Sequence, residues 1–269
     1  MTANNNTGKS STGLVAVYLI PWDPDSQEHV DRMKLQRIAC GWKFDQVDSW
    51  KDPQRKGQVG LHWVCNNLAT SARKCWLMQR HQLLRLGTVL HPDHPDTPSR
   101  LKSHFAAYPN ESQALLDSCK NMLGRPHKPD PLDPFFHPIG HIALDSISYV
   151  PELETSLSNG VLSLTNFYIS SALQSRGLGG AAMAYCEKMA KEEFGAKAIT
   201  LETIANEECR ADSPRRIALK RPPLAVTNQD WYERHGYRVY SQRSAAWVDI
   251  DETGKEWPTT SSLLRKELL

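Results

Sequence analysis

A glycine-rich loop between a predicted strand and a predicted helix is the part of the sequence best suited to chemistry. The strand ends at Ile169, the helix begins near Leu178, and the loop between them contains Gln174-Ser-Arg-Gly-Leu-Gly-Gly180. Glycine lets a backbone come close to a ligand, and the first turn of a helix presents unpaired N–H groups with a partial positive charge. The loop is therefore predicted to bind phosphate or pyrophosphate. The alternative is that its glycines serve only tight packing at the start of the helix.

A dinucleotide is one class of ligand for such a loop. Gly177, Gly179 and Ala182 fit the G-x-G-x-x-A fingerprint, and Glu202 stands near the position of an acidic ribose partner. This interpretation predicts a nicotinamide- or flavin-dependent oxidoreductase. Against it, residues 170–176 separate the strand from the glycines. The rest of the sequence also does not supply the further β-α-β units of a dinucleotide-binding fold.

The loop and a second motif downstream resemble the GNAT superfamily of acyl-CoA-dependent N-acyltransferases. The segment Gln174 to Gly179 meets the superfamily signature Gln/Arg-x-x-Gly-x-Gly/Ala, and the segment Asn228 to Tyr237 resembles its later Asn, Tyr and Gly-Phe box. The resemblance is specific over about residues 139–269 and only topological before that. The whole chain is similar to a long subgroup of the superfamily that is associated with filamentous fungi. Asn228 lies closer to Tyr232 than is usual in the family, and residues 206–227 form an insertion.

The resemblance implies acetyl-CoA as the cofactor and a set of residues that hold it. The implied cofactor-binding residues are Ile169, Ser170, Gln174, Ser175, Arg176, Gly177, Leu178, Gly179, Gly180 and Asn228. In the family pattern, backbone amides of the loop cradle the pyrophosphate, and backbone around the end of the strand pairs with the pantetheine arm. Tyr232 occupies the family's general-acid position; the alternative is an aromatic packing residue on an amphipathic helix.

The general base is less well defined by the sequence. Acyl transfer from a thioester to an amine requires a deprotonated amine, a polarised carbonyl and a protonated thiolate. The strand over residues 161–169 carries no acid, so the candidates are Glu202, Asp145 or a water chain through Asn166. Glu202 is the expected base, and the alternative is a solvated carboxylate at the end of a strand. A basic run in the insertion could reach the CoA 3′-phosphate or form a solvated face; it comprises Arg210, Arg215, Arg216, Lys220 and Arg221.

The elements that must position these residues follow from hydrophobic periodicity. Apolar segments predict strands at 14–20, 59–65, 139–144, 161–169 and 198–204, and residues 161–204 read as a β-α-β unit. Helical patterns occupy about 71–86 and the segment from Leu178 to Gly195. An earlier helix is expected to bury one apolar face, made of Leu35, Ile38, Ala39 and Trp42.

Residues 91–138 differ from the rest of the chain in their high proline content. This composition predicts an insertion or lid with one short helix near 112–123. The repeated His-Pro-Asp of residues 91–96 is more typical of a solvated turn than of a metal cluster, because proline follows each histidine. No metal site is expected.

Composition excludes several classes of protein. The chain has 269 residues, 40% of them hydrophobic and 23% charged, which is ordinary for a globular protein. Thirty-two Lys and Arg against 30 Asp and Glu give a net charge of +2, too balanced for binding to nucleic acid through global charge. The six cysteines are scattered and form no Cys-x-x-Cys, which predicts reduced thiols. The polar start and the lack of a long apolar run predict a protein that is cytoplasmic or nuclear and does not span a membrane.

Together these observations predict a mixed α/β GNAT fold, a central mixed β-sheet with helices on both faces and a Pro-rich insertion. We expect a flexible tail at 1–13 and a single domain at 14–269, active as a monomer or homodimer. The expected function is acetyl-CoA-dependent N-acetylation of a primary amine of a small metabolite, by direct attack in a ternary complex. The alternatives are protein or peptide N-acetylation, a CoA-binding protein without activity, and the oxidoreductase above.

Overall fold

A computed structural model of the chain describes residues 17–66, 106, 108–175, 177–222 and 224–268. Within these ranges a seven-stranded sheet forms the centre of the molecule. Its strands are β1 (Val17–Pro21), β2 (Val59–Asn66), β7 (Pro138–Asp145), β8 (Val161–Ile169), β9 (Ala198–Ile204), β10 (Arg238–Ile250) and β11 (Glu256–Glu267). They lie side by side in the order β1-β2-β7-β8-β9-β11-β10. The helices are α1 (Gln27–Cys40), α2 (Lys51–Arg55), α3 (Leu178–Phe194), α4 (Asn206–Cys209), α5 (Pro214–Ala218) and α6 (Asn228–Arg234).

The sheet is mixed, as the sequence predicts. β8 and β9 are the parallel pair among the described strands, and every other neighbouring pair is antiparallel. A dinucleotide-binding fold requires a mostly parallel sheet built from repeated β-α-β units. The observed topology therefore excludes the dinucleotide alternative for the described part of the chain.

The two faces of the sheet are covered by different helices, because alternate side chains of each strand point to opposite faces. On one face, here called the α3 face, Ile142, Leu144, Leu162 and Leu201 pack against Leu178, Ala182, Met183, Cys186, Met189 and Ala190 of α3. On the other, the α1 face, Leu61, Trp63 and Ala143 pack with Val30 and Met33 of α1. The prediction of helices on both faces is confirmed.

The parallel pair opens near its middle. β8 pairs with β9 only from Val161 to Leu164, so the edge of β8 from Thr165 to Ile169 has no strand partner on that side among the described residues. A bulge accompanies the opening: His141 and Ala143 are two positions apart on β7, whereas their β8 partners Tyr168 and Thr165 are three positions apart. Asn166 adopts φ 48° within it, a left-handed conformation that asparagine tolerates well. A gap between β8 and β9 results, beside the glycine-rich loop.

The buried face of α1 differs from the predicted one. Ser26 caps the helix and Gly41 ends it with φ 76°, but Ile38 is 49% exposed. The buried side chains are instead His29, Val30, Arg32, Met33, Gln36 and Arg37. The expectation of an apolar face was wrong because the sheet beneath α1 carries polar groups: His141 on β7 contacts both Arg37 and Gln36. A helix over a polar surface buries side chains that hydrogen-bond to it.

The described part of the Pro-rich segment, from residue 108 onwards, forms short elements. It contains a 3₁₀ turn at Pro109–Ser112 and the short strands β3 (Leu115–Leu116), β4 (Asn121–Met122), β5 (Arg125–Pro126) and β6 (Phe135–Phe136). Leu115 and Phe136 join the core under α1. The predicted helix near 112–123 is therefore wrong. Further 3₁₀ turns lie at Phe44–Trp50, Pro151–Leu153 and Leu157–Asn159.

The strands predicted at 59–65, 139–144, 161–169 and 198–204 are confirmed, with α3 ending at Gly195 as expected. The predicted tail at 1–13, the start of the first strand at 14–16, the helix at 71–86 and the residues at 91–96 lie outside the described residues. None of the helices in the described ranges is long and apolar enough to span a membrane. The described cysteines, Cys40, Cys65, Cys119, Cys186 and Cys209, are all free thiols.

Candidate active site

The loop between β8 and α3 folds back on the end of β8. The Ser170 amide donates to the Ile139 carbonyl over 2.8 Å, and the Gln174 side-chain amide donates to the Ile169 carbonyl over 2.9 Å. Gln174 thus anchors the loop through its side chain, which explains a polar residue with a long side chain at this position. Arg176 lies outside the described residues. The other predicted cofactor residues of this loop lie at the open end of the β8–β9 gap.

The N-terminus of α3 has the properties of an anion site. Gly177 is the N-cap residue with φ 79°, and no side chain of the described residues hydrogen-bonds there as a cap. The first turn contains no acidic residue. In a helix the first N–H groups have no intrahelical acceptor, so the amides of Leu178, Gly179 and Gly180 are available to a ligand at the positive end of a 17-residue helix.

Gly179 and Gly180 also have a packing role. A Cβ on Gly179 would lie 3.3 Å from the Trp231 ring, and a Cβ on Gly180 would lie 3.0 Å from Nε2 of His235. Both neighbours belong to α6 or directly follow it, so α6 docks closely on the first turn of α3. The packing interpretation of these two glycines is supported by this contact, and it is compatible with anion binding at the same turn.

Aromatic side chains of α6 lie at the gap between β8 and β9. Trp231 stacks on His235 with ring centroids 3.9 Å apart and lies 5.8 Å from Phe167 of β8. Tyr232 is half-buried and packs edge-on against Trp231 and Tyr237. The phenol is protonated at neutral pH at its ordinary pKa of 10.0, and burial raises this pKa further. The ring thus both packs in the structure and carries a proton near the gap.

Asn228 stands apart from these contacts. It is exposed in the first turn of α6, where Thr227 is the N-cap residue and accepts a hydrogen bond from the Asp230 amide over 3.0 Å. The structure therefore gives Asn228 a surface position, and its contact with a cofactor stays a prediction.

Glu202 is held in an ion pair. Its carboxylate accepts a hydrogen bond from Nη1 of Arg243 over 2.6 Å and one from Oγ of Ser261 over 2.5 Å. These partners lie on β10 and β11, on the α1 face of the sheet. Glu202 lies close to the gap, but its carboxylate is already engaged by Arg243 and Ser261.

Asp145 lies at the end of β7 on the same face and has a different environment. It is 8% exposed and accepts a hydrogen bond from Oγ1 of Thr165 over 2.7 Å. Burial raises the pKa of Asp145 from 3.8 to about 7, although the Thr165 hydroxyl, the Gly60 amide and Lys43 act in the opposite direction. Thr165 is the half-buried residue directly before the bulge at Asn166.

Most of the basic run in the insertion is already paired with acids. Arg215 and Arg221 both contact the Asp249 carboxylate, and Lys220 lies 2.5 Å from Glu252. These acids belong to the hairpin of β10 and β11. These ion pairs therefore hold the insertion against the hairpin. A contact of Arg215, Lys220 or Arg221 with a CoA phosphate would require its ion pair to break.

Two features of the site were not anticipated from the sequence. The bulge at Asn166 depends on pairing between β7 and β8; the one available signal is an asparagine inside an otherwise regular strand. The second feature is a contact between Trp42, after α1, and Trp247 of β10, whose ring centroids are 5.5 Å apart. This contact joins distant elements over the α1 face, and no local pattern marks it.

Comparison with known proteins identifies the family of the central segment. Residues 106–212 match the acetyltransferase (GNAT) family. This match contains β7, β8, the glycine-rich loop, α3 and β9. No curated protein matches the chain.

The solved structures to which this chain is similar include acetyltransferases. An aminoglycoside 6′-N-acetyltransferase complexed with coenzyme A is 10% identical over 94% of this chain and 97% of that chain, with a TM-score of 0.45. The aminoglycoside 6′-N-acetyltransferase from Enterococcus faecium is 11% identical over 94% and 97%, with a TM-score of 0.46. Arabidopsis thaliana NAA60 in complex with a bisubstrate analogue is 10% identical over 94% and 99%, with a TM-score of 0.45.

These similarities to solved structures are too low to carry an argument. The family match rests on the segment that forms the opened β8–β9 pair and the uncapped first turn of α3, where the sequence signature also lies. Residues 106–212 of this chain therefore match the acetyltransferase (GNAT) family, and the enzyme class that this match supports is that of an acyltransferase.

Proposed function

We propose that this protein transfers the acetyl group of acetyl-CoA to a primary amine of a small metabolite, by direct attack in a ternary complex. The observation that carries the proposal is the opening of the parallel pair: β8 and β9 separate after Leu164 and Leu201, next to the N-terminus of α3. A ligand with an anionic end and an extended arm fits this arrangement, because the amides at the helix start attract phosphate and the free strand edge offers hydrogen bonds to an amide-containing chain.

Coenzyme A has both parts. We expect its pyrophosphate at the amides of residues 177–180, and its pantetheine along the edge of β8 between Thr165 and Ile169. The Ile139 carbonyl already occupies the Ser170 amide. The pantetheine contacts therefore fall on the remaining backbone groups of this edge. The acetyl group would reach the bulge at Asn166, where backbone groups depart from the regular ladder.

Tyr232 is proposed as the general acid that protonates the departing thiolate. Its phenol is protonated at neutral pH at the ordinary tyrosine pKa, and burial raises this pKa further. Support for this role comes from its ring neighbour Trp231, which itself lies 5.8 Å from Phe167 of β8 at the gap. The contact between Trp42 and Trp247 joins the loop after α1 to β10 on the α1 face. Such a bridge favours a compact acceptor over an extended peptide, which supports a small amine as the substrate.

Binding and turnover test the proposal in that order. Titration calorimetry should give micromolar binding of acetyl-CoA and none of NAD. A screen of primary amines should then give release of free thiol with an acetylated product of the correct mass. Binding of acetyl-CoA without turnover of any amine would favour a CoA-binding protein without activity. Turnover of peptide N-termini alone would favour the peptide acceptor.

A further inference from the structure

A buried hydrogen-bonded pair on the α1 face has no role in the reaction as proposed above. Asp145, at the end of β7, is 8% exposed and accepts the Thr165 hydroxyl proton over 2.7 Å. Thr165 pairs with Ala143 and Asp145 pairs with Ser163, so both side chains point to the same face of the sheet. Thr165 is the last regular residue of β8 before the bulge, and it is half-buried. The pair therefore extends from the interior to the opening between β8 and β9.

The carboxylate is incompletely satisfied. Oδ1 of Asp145 is buried and has no hydrogen-bond partner of normal geometry among the described residues. No cation of the described part of the chain forms an ion pair with it, whereas Glu202 on the same face is paired with Arg243. A buried carboxylate in this condition is costly, and native proteins retain such groups mainly where function requires them.

We propose, on the basis of the function proposed above, that Thr165 and Asp145 are the proton-accepting pair of the acyl transfer. The Thr165 hydroxyl contacts the acceptor amine, and Asp145 is the positioning residue that orients this hydroxyl and receives its proton. The hydroxyl gives its own proton to Asp145 as it takes one from the ammonium group. A hydroxyl and a carboxylate at 2.7 Å are already in the geometry that this transfer needs.

The step balances in protons and electrons. The ammonium loses one proton through Thr165 to Asp145, and the freed nitrogen lone pair forms the bond to the thioester carbon. The carbon–sulfur bond then breaks, and the thiolate takes a proton from Tyr232. The second nitrogen proton returns to Tyr232 through water. The proton on Asp145 leaves to solvent, so that one protonated amine and one thioester give one amide, one thiol and one proton.

The groups around Asp145 set its response to pH. Lys43, from the loop after α1, lowers its proton affinity, as do the Gly60 amide of β2 and the Thr165 hydroxyl. Arg37 of α1 and Glu202 of β9 act on Lys43, and Cys186 of α3 lies within electrostatic range of Asp145. Burial outweighs these effects and brings the pKa to about 7. Activity should therefore rise with pH through about 7, as the pair becomes able to accept a proton.

The experiment compares three variants with a matched control. Asp145→Asn removes the proton acceptor and Thr165→Val removes the relay, both with little change of shape, whereas Thr165→Ser keeps the relay. The control is Ser163→Ala, which removes a buried hydroxyl from the residue opposite Asp145 in the strand register. The probes are 1,4-diaminobutane, which is protonated at pH 7, and methoxyamine, which is largely neutral there. Thiol release from acetyl-CoA is followed from about pH 5.5 to about pH 9, with acetyl-CoA affinity and melting temperature for each variant.

We expect Asp145→Asn and Thr165→Val to reduce the rate with 1,4-diaminobutane by about 10²–10⁴-fold and to lose the rise near pH 7. Both should keep the acetyl-CoA affinity and lose much less with methoxyamine, which needs no deprotonation before it attacks the thioester. Thr165→Ser and Ser163→Ala should stay within about threefold of the wild type and keep the rise. If Asp145→Asn does not fold, the two Thr165 variants decide the question.

A rise near pH 7 that persists in Asp145→Asn or Thr165→Val would overturn this inference and leave the proposed function intact. Equal losses with both amines would also overturn it, because they would indicate a structural role. Failure of the wild type to bind acetyl-CoA would overturn the proposed function itself. Binding without turnover of either amine would overturn the proton-accepting role.

Discussion

Replacing Asp145 by asparagine should change stability in a way that depends on pH. The unfolding free energy of the variant, relative to that of the wild type, should increase as the pH rises. The pKa of this carboxyl rises from 3.8 to about 7 on folding because of burial. A group whose pKa is raised in the folded state contributes its full stability below the unfolded pKa. It loses that contribution as pH rises through the folded pKa. The wild type should thus lose stability from this group between about pH 4 and pH 8, whereas the amide that replaces the carboxyl in the variant does not titrate.

The size of the effect follows from the shift. Each tenfold change in proton affinity is worth about 1.4 kcal/mol, so a rise from 3.8 to about 7 corresponds to about 4 kcal/mol. The difference in unfolding free energy, variant minus wild type, should therefore become more positive by about 4 kcal/mol from pH 4 to pH 8, most of it below about pH 7. A change of 1 kcal/mol shifts the melting temperature of a domain of this size by about 2–4 °C. The difference in melting temperature between variant and wild type should therefore change by roughly 10 °C from about pH 4 to about pH 8.

Urea denaturation of both proteins at several pH values measures this difference. All other titrating groups are common to the two chains, so the comparison isolates Asp145. Ser163→Ala, which removes a buried neutral hydroxyl on the neighbouring strand, should show a difference from the wild type that does not change with pH. A pH-independent difference for Asp145→Asn would refute the argument that burial raises this pKa.

Three further predictions concern the proposed site. Gly177→Ala places a side chain at a residue with φ 79° and should weaken acetyl-CoA binding at least tenfold, as measured by calorimetry. The control is Gly195→Ala, at φ 65° at the other end of α3. Each variant should lose about 1 kcal/mol of stability, but Gly195→Ala should leave the affinity for acetyl-CoA unchanged. Tyr232→Phe keeps the packing against Trp231 and should lower kcat by about 10²–10⁴-fold at unchanged acetyl-CoA affinity. A loss of kcat below about threefold would indicate that water is the proton donor. The control is Tyr185→Phe, on the exposed side of α3. Glu202→Gln should keep the rise of activity near pH 7, because Glu202 is paired with Arg243; loss of that rise would make Glu202 the base.

Local sequence was enough to predict the loop and the elements that flank it. A β-α-β unit is made of consecutive residues, and its strand, glycines and helix each have a short-range signature. The turn at Gly177 and the end of α3 at Gly195 both require φ values that favour glycine, and both were marked in the sequence. The antiparallel neighbour of β8 was also predictable, because residues 139–144 form an apolar run that a polar connection separates from β8.

The environment of each ionisable group was decided by tertiary structure. Glu202 and Asp145 look alike in sequence, as single acids near the ends of strands. The fold places Arg243, 41 residues further along the chain, against Glu202, and it buries Asp145 with only a hydroxyl as its side-chain partner among the described residues. The buried face of α1 was misjudged for the same reason, since Arg37 and Gln36 meet His141 more than 100 residues away. Periodicity reports which residues of one element share a face, whereas charge and burial depend on what the rest of the chain brings to that face.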